Sequence, residues 1–266
     1  MMIIRCSTLP HYNDCPRRAV ANGYKRMIED AGFKLRDRLN GIAAAVGTAS
    51  HHGSGHVMIL KRDGFAWNLK DAQEISIEKF KTESAGEVIY DTTTPSKNVG
   101  EKQILRLVQA FCAMAAPTIQ PEFIEKKKKA TINDQFQLSG TPDIETVINE
   151  LDDLKFGMKM KIFDSQIGGY ILLRQANKLS TETAKVRHFP RTAINKPFPG
   201  QQIHNLDIKL CLRAAWGTIK LIMRDLTEFT NTGSEWSFSA NPMSMLCSNK
   251  YCNAWGTNFC QFGRKI

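Results

Sequence analysis

The stretch from residue 121 to 156 constrains this chain most, because the helical period disappears there and every strand-like run is short. Residues 122–132, 135–139, 141–149 and 151–156 read as four successive strands, with Asn133-Asp134 and Asn149-Glu150 at the bends. Short consecutive strands with tight turns predict an antiparallel meander. Outside this stretch the spacing of apolar residues is helical. Pro16 suits the first turn of a helix running through Arg17, Ala19, Ala21, Tyr24 and Met27. Helices are also expected over 43–60, 71–82, 98–114, 164–178 and 205–229, with a strand pair near 181–194. The fold class expected is α/β of the α+β kind, with a central mixed, largely antiparallel sheet flanked by helices.

One domain over 1–266 is expected, with a helical insertion over 61–118 and a cysteine-rich tail over 242–262. Residues 91–97, 190–202 and 230–241 are loops by composition, and no internal repeat is present. No apolar run reaches the ~18 residues of a spanning helix, so no membrane is expected as a partner. The first residues, Met1-Met2-Ile3-Ile4-Arg5, lack the plan of a signal peptide, which predicts an intracellular, cytoplasmic place. The net charge of +10 and pI near 9.3 favour a polyanionic partner, nucleic acid being the usual one. The run Lys126-Lys127-Lys128-Lys129 either tracks phosphates or is the solvated part of a strand.

The chemistry-bearing residues gather between 139 and 170. Asp143 follows a Gly-Thr-Pro turn. Asp153 and Lys155 are two apart, so on a strand they share a face, and Asp152 points the other way. Gln166 and Tyr170 are four apart, so on a helix they share a face. Two carboxylates and an amine brought together this way suit a Mg²⁺- or Mn²⁺-dependent phosphodiesterase: the acids hold the ion and the ammonium sits by the attacking water or the scissile phosphate. Each residue also has a bland role: Asp143 as a turn cap, Asp153 and Lys155 as an exposed ion pair, Gln166 and Tyr170 as a helix surface pair.

Pro142-Asp143 followed by Asp153-Leu154-Lys155 resembles the PD-(D/E)XK nuclease signature. Gly47-Thr48-Ala49-Ser50-His51 upstream and Gln166-Ile167-Gly168-Gly169-Tyr170 downstream resemble the Gly-x-x-x-His and Gln-x-x-x-Tyr motifs of RecB-type exonucleases, including CRISPR-associated and phage-encoded single-domain forms. The likeness runs from Ser7 to about Phe262. It implies a restriction-endonuclease-like core and a metal-dependent DNA exonuclease acting on single-stranded or free-ended duplex DNA. His51, Asp143, Asp153 and the Leu154 carbonyl would be metal ligands, Lys155 the catalytic amine, and Gln166 and Tyr170 would position Lys155, the substrate backbone, or both. Some relatives carry a Glu four residues after the motif histidine; here that position is Gly55. A non-catalytic module that kept the fold is the competing function.

Seven cysteines are many for a reducing compartment. Cys247, Cys252 and Cys260 cluster in the tail and Cys15 is the candidate fourth; four thiolates suit a [4Fe–4S] cluster or Zn²⁺, and spacing does not separate the two. The resemblance implies the [4Fe–4S] cluster, as a staple between the two ends. The spacing departs from the tighter Cys-x2-Cys of those nucleases. Cys112 and Cys211 read as core residues.

Overall fold

The computed structural model describes residues 1–160 and 163–263; residues 161–162 and 264–266, the latter inside the expected 1–266 domain, lie outside the described residues. In chain order the elements are β1 (Met2–Arg5), α1 (Leu9–Asp14), α2 (Pro16–Gly23), α3 (Lys25–Asp30), β2 (Asn40–Gly41), α4 (Ile42–Arg62), α5 (Leu69–Glu83), β3 (Val88–Ile89) and α6 (Lys97–Met114). They continue with β4 (Pro121–Ile124), β5 (Lys128–Thr131), β6 (Phe136–Gly140), β7 (Ile144–Thr146), β8 (Glu150–Lys155), α7 (Asp164–Ala176), β9 (Thr183–His188), β10 (Gln202–Leu206) and α8 (Ile208–Thr232). The class is α+β, as the sequence predicts.

The strands do not form one meander. A five-stranded sheet has the order β10-β9-β8-β7-β4, and a three-stranded sheet the order β1-β6-β5. Hairpin neighbours are antiparallel, but β8 and β9 are parallel, joined over the sheet by α7, and β1 is parallel to β6. Four expectations are corrected here. The run 122–132 is two strands in different sheets, because Glu125 takes φ 46° and turns the chain out of β4. The run 141–149 pairs only at Ile144–Thr146. The helix opening at Pro16 ends at Gly23 and restarts at Lys25. Near 181–194 lies a single strand, β9, whose partner β10 occupies ground read as loop and helix start.

The central strand β8 is covered on both faces, the condition of a strand in a middle layer. Leu151 joins the cluster built with α7 and α8, and Leu154 the cluster built with α4 and α6. Helix ends are fixed locally: Ser96 caps α6 by accepting from Val99 N–H, Asp207 caps α8, and Gly233 at φ 64° closes it. Two helix contacts depend on absent side chains. A Cβ on Gly168 would stand 1.9 Å from the Cys211 carbonyl oxygen, and one on Gly53 1.9 Å from Ser76 Oγ, so α7 meets α8 and α4 meets α5 backbone-close.

The two sheets are tied by buried charge. Glu145 of β7 forms an ion pair with Lys128 of β5, Nζ to Oε1 3.2 Å, and is also bonded to Arg174 of α7. Lys128 is therefore neither solvated nor tracking phosphate, whereas Lys126 lies over the Phe123 ring. No described helix is long and apolar enough to cross a membrane.

Candidate active site

The bend at Glu125 and the turn before β7 meet in space. Glu125 N–H donates to the Asp143 carbonyl at 2.9 Å, so the two acidic residues leave the sheet end side by side. A non-glycine residue at positive φ costs of order 1 kcal/mol and persists only where its surroundings hold it. Helix α4 brings His51 between them. His51 Nε2 lies 3.0 Å from Asp143 Oδ2, and Nδ1 lies 2.8 Å from Glu125 Oε1. Burial disfavours the charged imidazole, but the Asp143 and Glu125 carboxylates outweigh it and raise the His51 pKa to about 10.

Asp143 Oδ2 also accepts the Leu154 backbone N–H at 2.7 Å, which ties the turn to β8. One residue before Leu154, Asp153 is fully buried, and its Oδ2 stands 2.5 Å from Lys155 Nζ. Both side chains leave β8 on one face, while Asp152 on the other face pairs with Arg187 at 2.6 Å. The two acids are driven apart. Burial raises the Asp153 pKa and the Asp143 charge raises it further, against the pull of Lys155. For Asp143 burial is outweighed by His51 and Lys155, and its pKa falls. Asp153 Oδ1 is buried without a hydrogen-bond partner. An orphaned carboxylate oxygen in the interior calls for a cation or a donor to complete it.

Gln166 Nε2 donates to the Tyr170 hydroxyl at 2.7 Å, across one turn of α7. Burial raises the Tyr170 pKa, and so does the charge of Asp143 and Asp153. Gln166 is bonded to Tyr170, and Lys155 pairs with Asp153. A cavity of about 580 Å³ is lined by His51, His52, Lys79, Glu125, Asp143 and Lys155 among others, and not by Asp153, Gln166 or Tyr170. Sequence reasoning missed Glu125 and Lys79. Glu125 sits in what read as the middle of a strand, and no glycine or asparagine marks its bend. The one trace is Gly55: its absent Cβ would stand 3.4 Å from Glu125 Oε1, so the helix leaves room there for an acid arriving from the sheet.

No known family profile matches the sequence, and no curated protein matches it. A solved structure of a candidate exonuclease from Eubacterium rectale superposes with a TM-score of 0.61 at 11% identity, covering 92% of this chain and 86% of that one. The two chains share a fold. A second solved structure, SSO0001, has 15% identity over 74% of this chain and 83% of its own with a TM-score of 0.28, too loose to carry an argument.

The donor set fits a hard divalent ion: two carboxylates, a backbone carbonyl position and an imidazole. Among the described residues no three His, Cys, Asp or Glu side chains already stand as a metal shell. His51 and Lys155 occupy the carboxylates instead, and a bound ion would exchange with these partners.

A second gathering lies at the chain's two ends. Cys15, Cys247, Cys252 and Cys260 line one small cavity with Arg18 and Trp255. All four are free thiols. The tail is docked: Arg18 bonds Asp14 at 2.6 Å and Ser244 Oγ at 2.9 Å, and Asn241 N–H donates to Cys15 Sγ at 3.4 Å. Burial and the neighbouring Cys260 raise the Cys252 pKa to about 11. Four soft donors beside one buried cation have the ligand chemistry of a thiolate-bound metal or cluster, but among the described residues no three of them stand as one metal shell. Cys112 and Cys211 are core residues, as expected.

Proposed function

We propose that this chain is a divalent-metal-dependent DNA nuclease, working as an exonuclease on single-stranded or free ends. One observation carries the reading: a buried, incompletely bonded Asp153 stands beside Lys155, with Asp143 joined to the same strand, and Asp143 and Lys155 line an open cavity. The exonuclease-like fold supports it. Asp143, Asp153, His51 and the Leu154 carbonyl would hold Mg²⁺ or Mn²⁺. When bound, the ion supplies a water of lowered pKa and offsets charge on the phosphate. Asp153 fixes the Lys155 ammonium, which would orient the attacking water or face the phosphate as negative charge develops. Tyr170, held by Gln166, presents a neutral hydroxyl. The four cysteines would hold a [4Fe–4S] cluster, with Zn²⁺ the alternative, as a staple that mostly restrains the unfolded chain. The test of the function is an assay of linear, circular and single-stranded DNA with Mn²⁺ and with chelator. Ion-dependent loss of free-ended substrate supports the proposal, and inert linear DNA refutes it.

Glu125 belongs to this reading as the residue that aims His51. Its carboxylate at Nδ1 holds that proton and leaves Nε2 turned toward Asp143, the arrangement by which carboxylates orient metal-binding imidazoles. Glu125→Ala is expected to weaken Mn²⁺ binding, measured by calorimetry or spin resonance, by about 10–100-fold. Glu125→Gln keeps an acceptor and is expected to lose less. Wild-type affinity in Glu125→Ala would remove this role.

A further inference from the structure

In the lysine run that leads into β5, Lys127 and Lys129 are exposed and make no ion pair or side-chain hydrogen bond among the described residues. Lys128 is buried against Glu145, and Lys126 rests on Phe123. Lys127 instead enters a groove of about 410 Å³ between β1, the end of β6 and α7, together with Arg5, Ser7, Ser139, Thr141 and Tyr170. The cations of this groove differ from the buried and half-buried ones of the sheets and of the segment after β9. Lys128, Lys185, Arg187 and Arg191 each pair with a carboxylate. Arg5 and Lys127 have no ion pair or side-chain hydrogen bond among the described residues, and no acidic residue lines the groove. Two exposed unpaired cations facing three hydroxyls, with no counter-charge, leave the site electrically incomplete.

The groove adjoins the candidate active site. Thr141 lies in it, and Asp143, two residues on, lies in the acidic cavity. Tyr170 lines the groove, its hydroxyl bonded to Gln166 and its ring against Gly140, where a Cβ would stand 2.9 Å from the ring edge.

We propose that Arg5, Lys127, Ser7, Ser139 and Thr141 form a phosphate-binding subsite, taking a phosphate of the nucleic-acid strand whose neighbouring phosphodiester lies at Asp143 and Asp153. This rests on the nuclease reading for its ligand and on the groove's own residues for its chemistry. Cations with hydroxyl donors are the usual means of gripping the strand backbone, and they fix register without reading sequence. The phosphate is either an internal diester or a terminal monoester.

The experiment measures binding without cleavage. Internally labelled single-stranded oligonucleotides, with and without a 5′-phosphate, are titrated in chelator and followed by fluorescence anisotropy. Arg5→Gln with Lys127→Gln is compared with a charge-matched control, Lys102→Gln with Lys209→Gln, two exposed lysines elsewhere. The subsite pair is expected to weaken binding about tenfold and to make the salt dependence shallower by about 0.7 for each lost contact. The control pair is expected to change affinity less than about twofold. A loss confined to the 5′-phosphorylated strand identifies the monoester, and an equal loss on both identifies the diester. Equal effects of the two pairs, or a wild type that binds neither strand, overturn the subsite. Both pairs are exposed, and thermal melting checks that they fold. Cleavage in Mn²⁺ is scored separately: selective binding loss without any wild-type cleavage keeps the subsite and sinks the nuclease reading, and wild-type cleavage with undisturbed variant binding does the reverse.

Discussion

Asp153→Asn is expected to lower Mn²⁺-dependent DNA cleavage by at least about 10³-fold, equivalent to about 4 kcal/mol of transition-state stabilisation. The substitution changes charge and hardly changes shape. Asp153 is fully buried on the central strand, with Lys155 as its recorded partner and one oxygen unbonded. Its charged form is already disfavoured by burial and by Asp143. Folding therefore gains little from that charge, and the melting temperature is expected to stay within a few degrees of wild type. Lost cleavage with a retained fold separates this residue from an ordinary structural ion pair. Cleavage within about threefold of wild type would remove Asp153 from the reaction.

The second large effect falls on stability. Arg174→Met is expected to cost about 3–5 kcal/mol, seen as a fall of roughly 10 °C in melting temperature or as an earlier denaturant midpoint. Arg174 is fully buried and bonds Glu145, the Ser180 carbonyl and Thr181 Oγ1. Removing it leaves Glu145, itself buried, facing Lys128 alone across the junction of the two sheets. Glu145→Gln in the same chain is expected to add to the loss, because it leaves the buried Lys128 ammonium without a counter-charge. A cost under about 1 kcal/mol would show that the triad does not hold the sheets together.

The residues that sequence alone exposed were those whose spacing matches an element. Asp153 and Lys155 do share a strand face, Gln166 and Tyr170 a helix face, and α4, α5 and α6 fall where the apolar period puts them. The four cysteines, far apart in the chain, do line one cavity. What stayed hidden depends on tertiary context. Glu125 turns the chain without a turn residue, so its bend and its place beside His51 carry no local signal. Strand β1 is only four residues long and is stabilised by pairing with β6, which lies more than a hundred residues away. The lysine run looked uniform, yet Lys128 opens β5 and is buried against Glu145, while Lys127 lies in the connection before it and lines the groove.

The most direct measurement is the rate at which wild type and Lys155→Met degrade a linear single-stranded oligonucleotide, with Mn²⁺ and with chelator. Lys155 carries the one ammonium bonded to the buried acid, and Met keeps most of the side chain's length and apolar body. The account predicts ion-dependent degradation by wild type and none above background by the variant. Equal rates in the two proteins, or a wild type that leaves the oligonucleotide intact with the ion present, would contradict it.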